Sequence, residues 1–569
     1  MALAARPTGS LSFVRLAPGL TLAVLLLPIA FGLAATFLPA FGYLPALGGT
    51  ELTLAHFESL FAMPAIWRSA ALSLLTGVVT AGVSLLIVML FVAGWAGTRT
   101  FARLQHAVSP LLAIPHAAAA FGLAFLIAPS GFLVRLAAPW AGIERPPDWL
   151  IVNDPLGLTM MAGLVAKEMP FLLLVTLAAL PQVKRAETMQ LVSAFGYGRI
   201  AGFLFTLWPQ VYRQIRFAVY AVIAYATAVV DVAVILGPNL PAILPVRLLQ
   251  WMNDPDLSLR FLASAGAVLQ LGVTLGALLG WLVIEQVASS ICAALRGRGL
   301  RMVRERMLRI AALAATGTTA VLVFGGIALL ALWSFAALWQ FPAILPDAFT
   351  LSTWQRALPR ILEPLAVTLG AGALSTAIAL CLTIACLEQE ARTGRVAGRR
   401  AMLAIYLPLI VPQIAFVFGL QVLFLASGTD QRFAALVFVH LVFVLPYVFL
   451  SLSDPWRAFD RRYDLIAAGL GRSRLALLLK VRLPMLSRAV LTAAAVGFAV
   501  SVGQYLPTVL IGEGRLTTVT TEAVALAAGG NRRVIGVYAF LQTLLPFLAF
   551  AIASLAPALL WRNRRAMRP

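Results

Sequence analysis

The sequence predicts an all-α membrane protein of about twelve transmembrane helices in two parallel six-helix repeats. Three observations carry that expectation: apolar runs of spanning length, basic residues gathered in alternate loops, and one segment that occurs twice. Of 569 residues, 61% are hydrophobic and 11% charged, against roughly half apolar and a quarter charged in soluble domains. Crossing about 30 Å of hydrocarbon takes roughly 20 apolar residues in a helix. A lipid-exposed backbone satisfies its hydrogen bonds only in helices or closed barrels.

Apolar runs between charged or Pro/Gly breaks place six spans at 18–37, 69–92, 110–128, 157–180, 217–236 and 261–284, and six more at 310–333, 364–386, 402–425, 433–452, 489–511 and 534–560. The first run is too long, and too poor in a small-residue cleavage site, to read as a removed signal peptide. The three cysteines, Cys292, Cys381 and Cys386, lack metal-type spacing and read as core thiols, so no metal site is expected.

A net charge of +21 raises nucleic acid as a partner, and position argues against it. With the N-terminus cytoplasmic, roughly 31 of the 43 Lys and Arg fall in inside segments and 11 outside, with Lys167 within a span. This asymmetry orients a helical membrane protein and puts both termini in the cytoplasm. The densest clusters are Arg296, Arg298, Arg301, Arg304, Arg306 and Arg309 around a basic linker at 291–309, and Arg562, Arg564, Arg565 and Arg568 at the C-terminal end.

The duplicated segment reads PHAAAAFGLAFLIAPSG from Pro115 and PQIAFVFGLQVLFLASG from Pro412, with 8 of 17 positions identical and no gap. Keeping Pro, Phe-Gly-Leu and Ser-Gly in register divides the chain into halves at 1–290 and 310–569. After the fourth span the offset shortens by about 20 residues, so the external stretch with Arg145, Pro146, Pro147 and Asp148 is an insertion in the first half. An even number of spans per half makes the repeats parallel, about an axis along the membrane normal.

After the fourth span the chain reads QLVSAFGYGRIAGFLFTLWP, Gln190 to Pro209, and after the tenth LIAAGLGRSRLALLLKVRLP, Leu465 to Pro484. Each places a glycine, Gly196 or Gly471, thirteen residues before a proline, Pro209 or Pro484, with an arginine, Arg199 or Arg474, three after the glycine. A short helix closed by a residue free to take positive φ, then a second helix running through proline into the next span, makes a stiff elbow.

This pattern resembles the EAA loop of binding-protein-dependent ABC importer permeases: Glu-Ala-Ala, three variable positions, Gly, and a downstream Leu-Pro. The resemblance covers essentially the whole chain, as two copies of the six-span unit of the type I ABC importer permease fold. Among fused permeases the chain most resembles the ferric-ion and thiamine branch. The resemblance implies coupling loops at about 185–212 and 455–486 that seat in ATP-binding subunits. Leu191, Ala194 and Phe195, with their counterparts Ile466, Gly469 and Leu470, would supply the buried contact. Gln190 and Leu465 stand where the family usually has glutamate, and Ala-Ala survives only as Ala467 and Ala468.

A P-loop needs lysine after glycine to hold phosphates, and none of Lys167, Lys184 and Lys480 follows one. ATP and Mg therefore belong to partners, and no cofactor is expected on this chain. The resemblance implies two ATP-binding subunits on the cytoplasmic face, an extracytoplasmic substrate-binding protein and a place in the bacterial inner membrane among lipid. A two-times-six-span secondary transporter would carry a charged loop after the second span, where AGTRTFARLQHA has no acidic residue. A membrane enzyme is disfavoured by four scattered histidines and no H-E-x-x-H or G-x-S-x-G.

Ionisable groups within spans cost about 2.5–3.5 kcal/mol each, so they mark a pathway or a structural pair. Lys167 and Glu168 precede Pro170 in the fourth span, Asp231 lies in the fifth, and Gln504 and Tyr505 are its approximate equivalents in the eleventh. These are candidate pathway residues, with a Lys167–Asp231 salt bridge as the structural alternative. His116 and Gln413, each one residue after a proline, join the pathway or satisfy backbone groups that proline frees. The Pro-rich turn from Gly237 to Pro245 is a candidate external docking site.

Overall fold

The computed structural model describes residues 11–301, 304–429, 433–460 and 462–560, and its regular elements are helices, with isolated bridges at Leu44–Gly49 and Ala336–Phe349. The arginines from Arg562 to Arg568 lie outside the described residues, as does the side chain of Ala468. Among the described residues nine helices are long and apolar enough to cross a membrane, and eleven when each of two bent pairs counts as one span.

The departures from twelve straight spans fall at the third, fifth, ninth and eleventh. Proline lacks an N–H and drives the residue before it out of the helical region. Ile114 and Val411 accordingly take ψ of 125° and 126°, in front of Pro115 and Pro412. Helix Arg399–Ile410 meets Gln413–Ala426 at 86°, and in the first half a short turn, Ser109–Ala113, precedes His116–Ile127. The fifth span begins early, at Trp208–Thr227, with Gln210, Arg213, Gln214 and Arg216 diluting its hydropathy. It then breaks and restarts as Asp231–Leu236. The eleventh breaks at the matching place, between Ser487–Val502 and Leu506–Gly512.

Each half's opening helix packs on the other half. Leu11–Ala40 crosses Gln413–Ala426, and Arg306–Phe335 crosses His116–Ile127. Both crossings are glycine on glycine, the small-residue contact that lets backbones approach in lipid. A Cβ on Gly122 would stand 2.8 Å from the backbone of Gly326, and one on Gly419 would collide with the Gly32 carbonyl oxygen. A further clamp is Arg135, whose guanidinium donates to the carbonyls of Gln340 (2.8 Å) and Ala343 (2.7 Å) and lies over Trp339. Of the cysteines expected in the core, only Cys386 is buried. Cys381 points outward from helix Ser352–Thr393 and Cys292 is half-buried.

Candidate functional site

The fourth-span pair divides. Glu168 is buried, and its Oε1 lies 2.8 Å from His116 Nε2. The His116 ring leans on Tyr225 with centroids 4.7 Å apart. Tyr225 also lies beside Asp231, the first residue after the break in the fifth span. From the second half Tyr505 approaches Asp231 and Tyr447 approaches Glu168. Two carboxylates therefore have aromatic side chains of both halves in their surroundings.

Lys167 does not pair with Asp231. Its ammonium is buried and donates to the carbonyl of Leu111 (2.9 Å), which also accepts the Ile114 N–H, and to that of Leu112 (3.1 Å), where the chain turns before Pro115. Gln504 is buried in the second break, and Gln413 is half-buried at the start of Gln413–Ala426; neither hydrogen-bonds to the carboxylates.

Side chains from neighbouring helices hold the breaks open. Gln270 donates to the Thr227 carbonyl at 3.0 Å, and the hydroxyls of Thr227 and Thr274 meet at 2.9 Å. In the second half the buried His440 links Ser501 (2.7 Å) and Thr508 (3.0 Å) across the break. These partners satisfy backbone and hydroxyl groups that a broken helix exposes away from water. None of Tyr225, Tyr447, Gln270 and His440 was singled out by sequence, because each is an ordinary residue of an apolar run until its neighbours are known.

Both elbows close the same way. Helix Arg185–Ala194 ends at Gly196, φ +77°, with the Tyr197 N–H donating to the Val192 carbonyl at 3.3 Å. Helix Arg462–Gly469 ends before Gly471, φ +67°, with the Arg472 N–H donating to the Ala467 carbonyl at 3.0 Å. This is the left-handed closure that uses up the last helical carbonyls. Arg199 and Arg474 then open the second helices, Arg199–Thr206 and Arg474–Leu477. Leu191, Phe195, Leu465, Ile466 and Leu470 are each at least 60% exposed, and Gln190, Ala194 and Pro209 are exposed too. Ala467 is the exception: it is 7% exposed and packs inward, so it presents no outer surface. Pro484 is half-buried, and helix Arg474–Met485 turns through 78° into Ser487–Val502.

The elbows are braced differently. In the first, the Ile200 and Ala201 amides both donate to Glu305 of the linker at 2.9 Å, and the Gly198 N–H donates to the Arg301 carbonyl at 2.8 Å. In the second, Arg482 bonds Glu388 and, at 2.5 Å, Asp464. The turn from Gly237 to Pro245 is mostly buried, and the Leu244 N–H donates inward to the Ser73 hydroxyl; Asn239 and Leu240 alone are exposed there.

Helices of spanning length around a cluster of buried polar side chains, with paired glycine-closed elbows, are the frame of a membrane permease. No protein-family model matches the chain. It is 31% identical over 523 residues, covering 91% of this chain and 93% of the relative, to the inner membrane ABC transporter permease protein YnjC of Escherichia coli (strain K12). It is also 30% identical over 108 residues, 19% of this chain and 42% of the relative, to the spermidine/putrescine transport system permease protein PotC of Haemophilus influenzae. The PotC of Escherichia coli (strain K12) is 31% identical over 97 residues, 17% of this chain and 37% of the relative. The chain belongs to the inner-membrane ABC transporter permeases. It is a multi-pass permease of an ABC importer and not an enzyme.

Proposed function

We propose that this chain forms the whole membrane pore of a binding-protein-dependent importer, as two six-span units in one polypeptide that carry a positively charged solute. The observation that carries the reading is the pair of elbows, each closed by a left-handed glycine and each presenting exposed leucine, isoleucine or phenylalanine. Such patches seat in clefts of a partner, and two patches call for two ATP-binding subunits, which hold the ATP and Mg. The elbow side is cytoplasmic, as the arginine distribution requires, and a substrate-binding protein delivers solute to the other side. Both termini are cytoplasmic on this reading.

The carboxylates of Glu168 and Asp231, with the rings of Tyr225, Tyr447 and Tyr505, favour a cation in the passage through charge and aromatic faces. The finer resemblance to the ferric-ion and thiamine branch fits such a charge, as do the polyamines in the PotC name.

Copurification with candidate ATPase subunits tests the reading. Leu191→Asp and Ile466→Asp should each reduce the bound ATPase from two copies to one, and the double variant to none. Full retention by the double variant would show that the elbows are not the seats.

A further inference from the structure

The internal duplication lets each half serve as a control for the other where the second span meets the elbow. The register that pairs Pro115 with Pro412 also pairs Gly97 with Gly394, both at positive φ (+83° and +69°) just beyond helices Ile66–Trp95 and Ser352–Thr393. In that register Phe91 and Ala93 stand where the second half has Glu388 and Glu390, and the elbow register sets Arg185 and Met189 against Asp460 and Asp464.

In the second half the charges cancel. Glu388 takes Arg392 (2.8 Å) and Arg482, Asp464 takes Arg482 (2.5 Å), and Glu390 takes Arg457 (3.0 Å). The first half has neither those carboxylates nor their partners, since Trp95, Gln182 and Leu207 stand where Arg392, Arg457 and Arg482 do, and two other arginines occupy the cleft. The Arg185 guanidinium donates to the Ala96 carbonyl at 2.6 Å, and Arg199 donates to that same carbonyl and to Ala93 at 3.3 Å. Arg309 stands near Arg199, and its Nε is buried without an acceptor. Glu305 reaches Arg199 through space, but both of its oxygens are engaged by the Ile200 and Ala201 amides. Burial pulls the Arg199 guanidinium below its ordinary value, and Arg309 and Arg185 add to the pull while Glu305 opposes it; burial does the same to Arg185.

Arg185 and Arg199 line a cavity of about 330 Å³ with Ser193, Tyr197, Val92 and Phe203 among others. Two guanidiniums sharing one carbonyl repel each other, and an anion between them would offset that repulsion. Guanidinium forks match carboxylate and phosphate oxygens in pairs, and the Tyr197 hydroxyl adds a donor. We propose that the cleft behind the first elbow binds an oxyanion, a phosphate or a carboxylate, on Arg185 and Arg199. Bound there, the anion ties the first elbow to the end of helix Ile66–Trp95, as the Glu388–Arg482–Asp464 network ties the second elbow to Ser352–Thr393.

The test is thermal unfolding of the purified full-length chain, with inorganic phosphate titrated against chloride at constant ionic strength. The expected result is a saturable phosphate-dependent rise in the midpoint that is lost in Arg185→Gln and Arg199→Gln and kept in Arg474→Gln, the second-elbow counterpart. Ala93→Glu, which restores the carboxylate of the duplicate, should raise the midpoint in chloride and remove the response. The absence of any phosphate-specific rise would overturn the site, and so would a rise that survives in both arginine variants or in Ala93→Glu. Repeating the titration with the ATPase subunits bound separates the sources. A persisting response assigns a free anion, and a response abolished by assembly assigns a carboxylate of the docked subunit.

Discussion

Lys167 donates to two backbone carbonyls and Glu168 faces His116, although the two residues are adjacent in sequence. In a helix of 3.6 residues per turn, neighbours point about 100° apart, so rotation about the axis decides which one faces His116. Hydropathy along one sequence does not report that rotation, and the expected Lys167–Asp231 pair was open for that reason. Lys167→Met removes two charge-assisted hydrogen bonds, worth roughly 1.5–3 kcal/mol each, and should lower the unfolding midpoint and the folded yield in detergent. Asp231→Asn keeps the shape and hydrogen-bonding capacity. It should fold normally and cut uptake of a cationic solute by on the order of tenfold, the equivalent of about 1.4 kcal/mol. Equal loss of folding in both variants would place Asp231 among the structural groups.

The elbows were legible because their signal is local: a glycine at fixed distance from a proline, twice. The positive φ values at Gly196 and Gly471 are the conformation that this spacing calls for. A side chain there costs about 1–2 kcal/mol from contact of Cβ with the following carbonyl, so Gly471→Val should insert in the membrane and lose ATP-driven uptake. Glu305 was not legible, because it reaches Ile200 and Ala201 across about a hundred residues with no motif at either end. Glu305→Ala removes a cap of the kind worth about 0.5–2 kcal/mol, and should speed hydrogen exchange in 199–206 while leaving 474–477 unchanged. The breaks in the fifth and eleventh spans were hidden for a similar reason. Each lies inside an apolar run, and the groups that hold it, Gln270, Thr274 and His440, come from other helices.

Across the whole molecule, composition sufficed for the membrane class and the repeat sufficed for equivalent positions. The reciprocal exchange of opening helices was beyond both, since it depends on Gly32, Gly122, Gly326 and Gly419 meeting through space. Gly122→Leu or Gly419→Leu should leave each half's helices apolar enough to insert yet prevent the crossing, and size-exclusion chromatography should show aggregate in place of a single peak. On the proposed reading, pore and elbows act as one body whose drive comes from outside the chain. The most direct measurement of that claim is solute accumulation in proteoliposomes holding the chain, its binding protein and internal ATP, with and without the ATPase subunits. Accumulation only when the subunits are present, and its loss in the Leu191→Asp/Ile466→Asp double variant, is the predicted result; accumulation by the chain and binding protein alone, without the ATPase subunits, would contradict it.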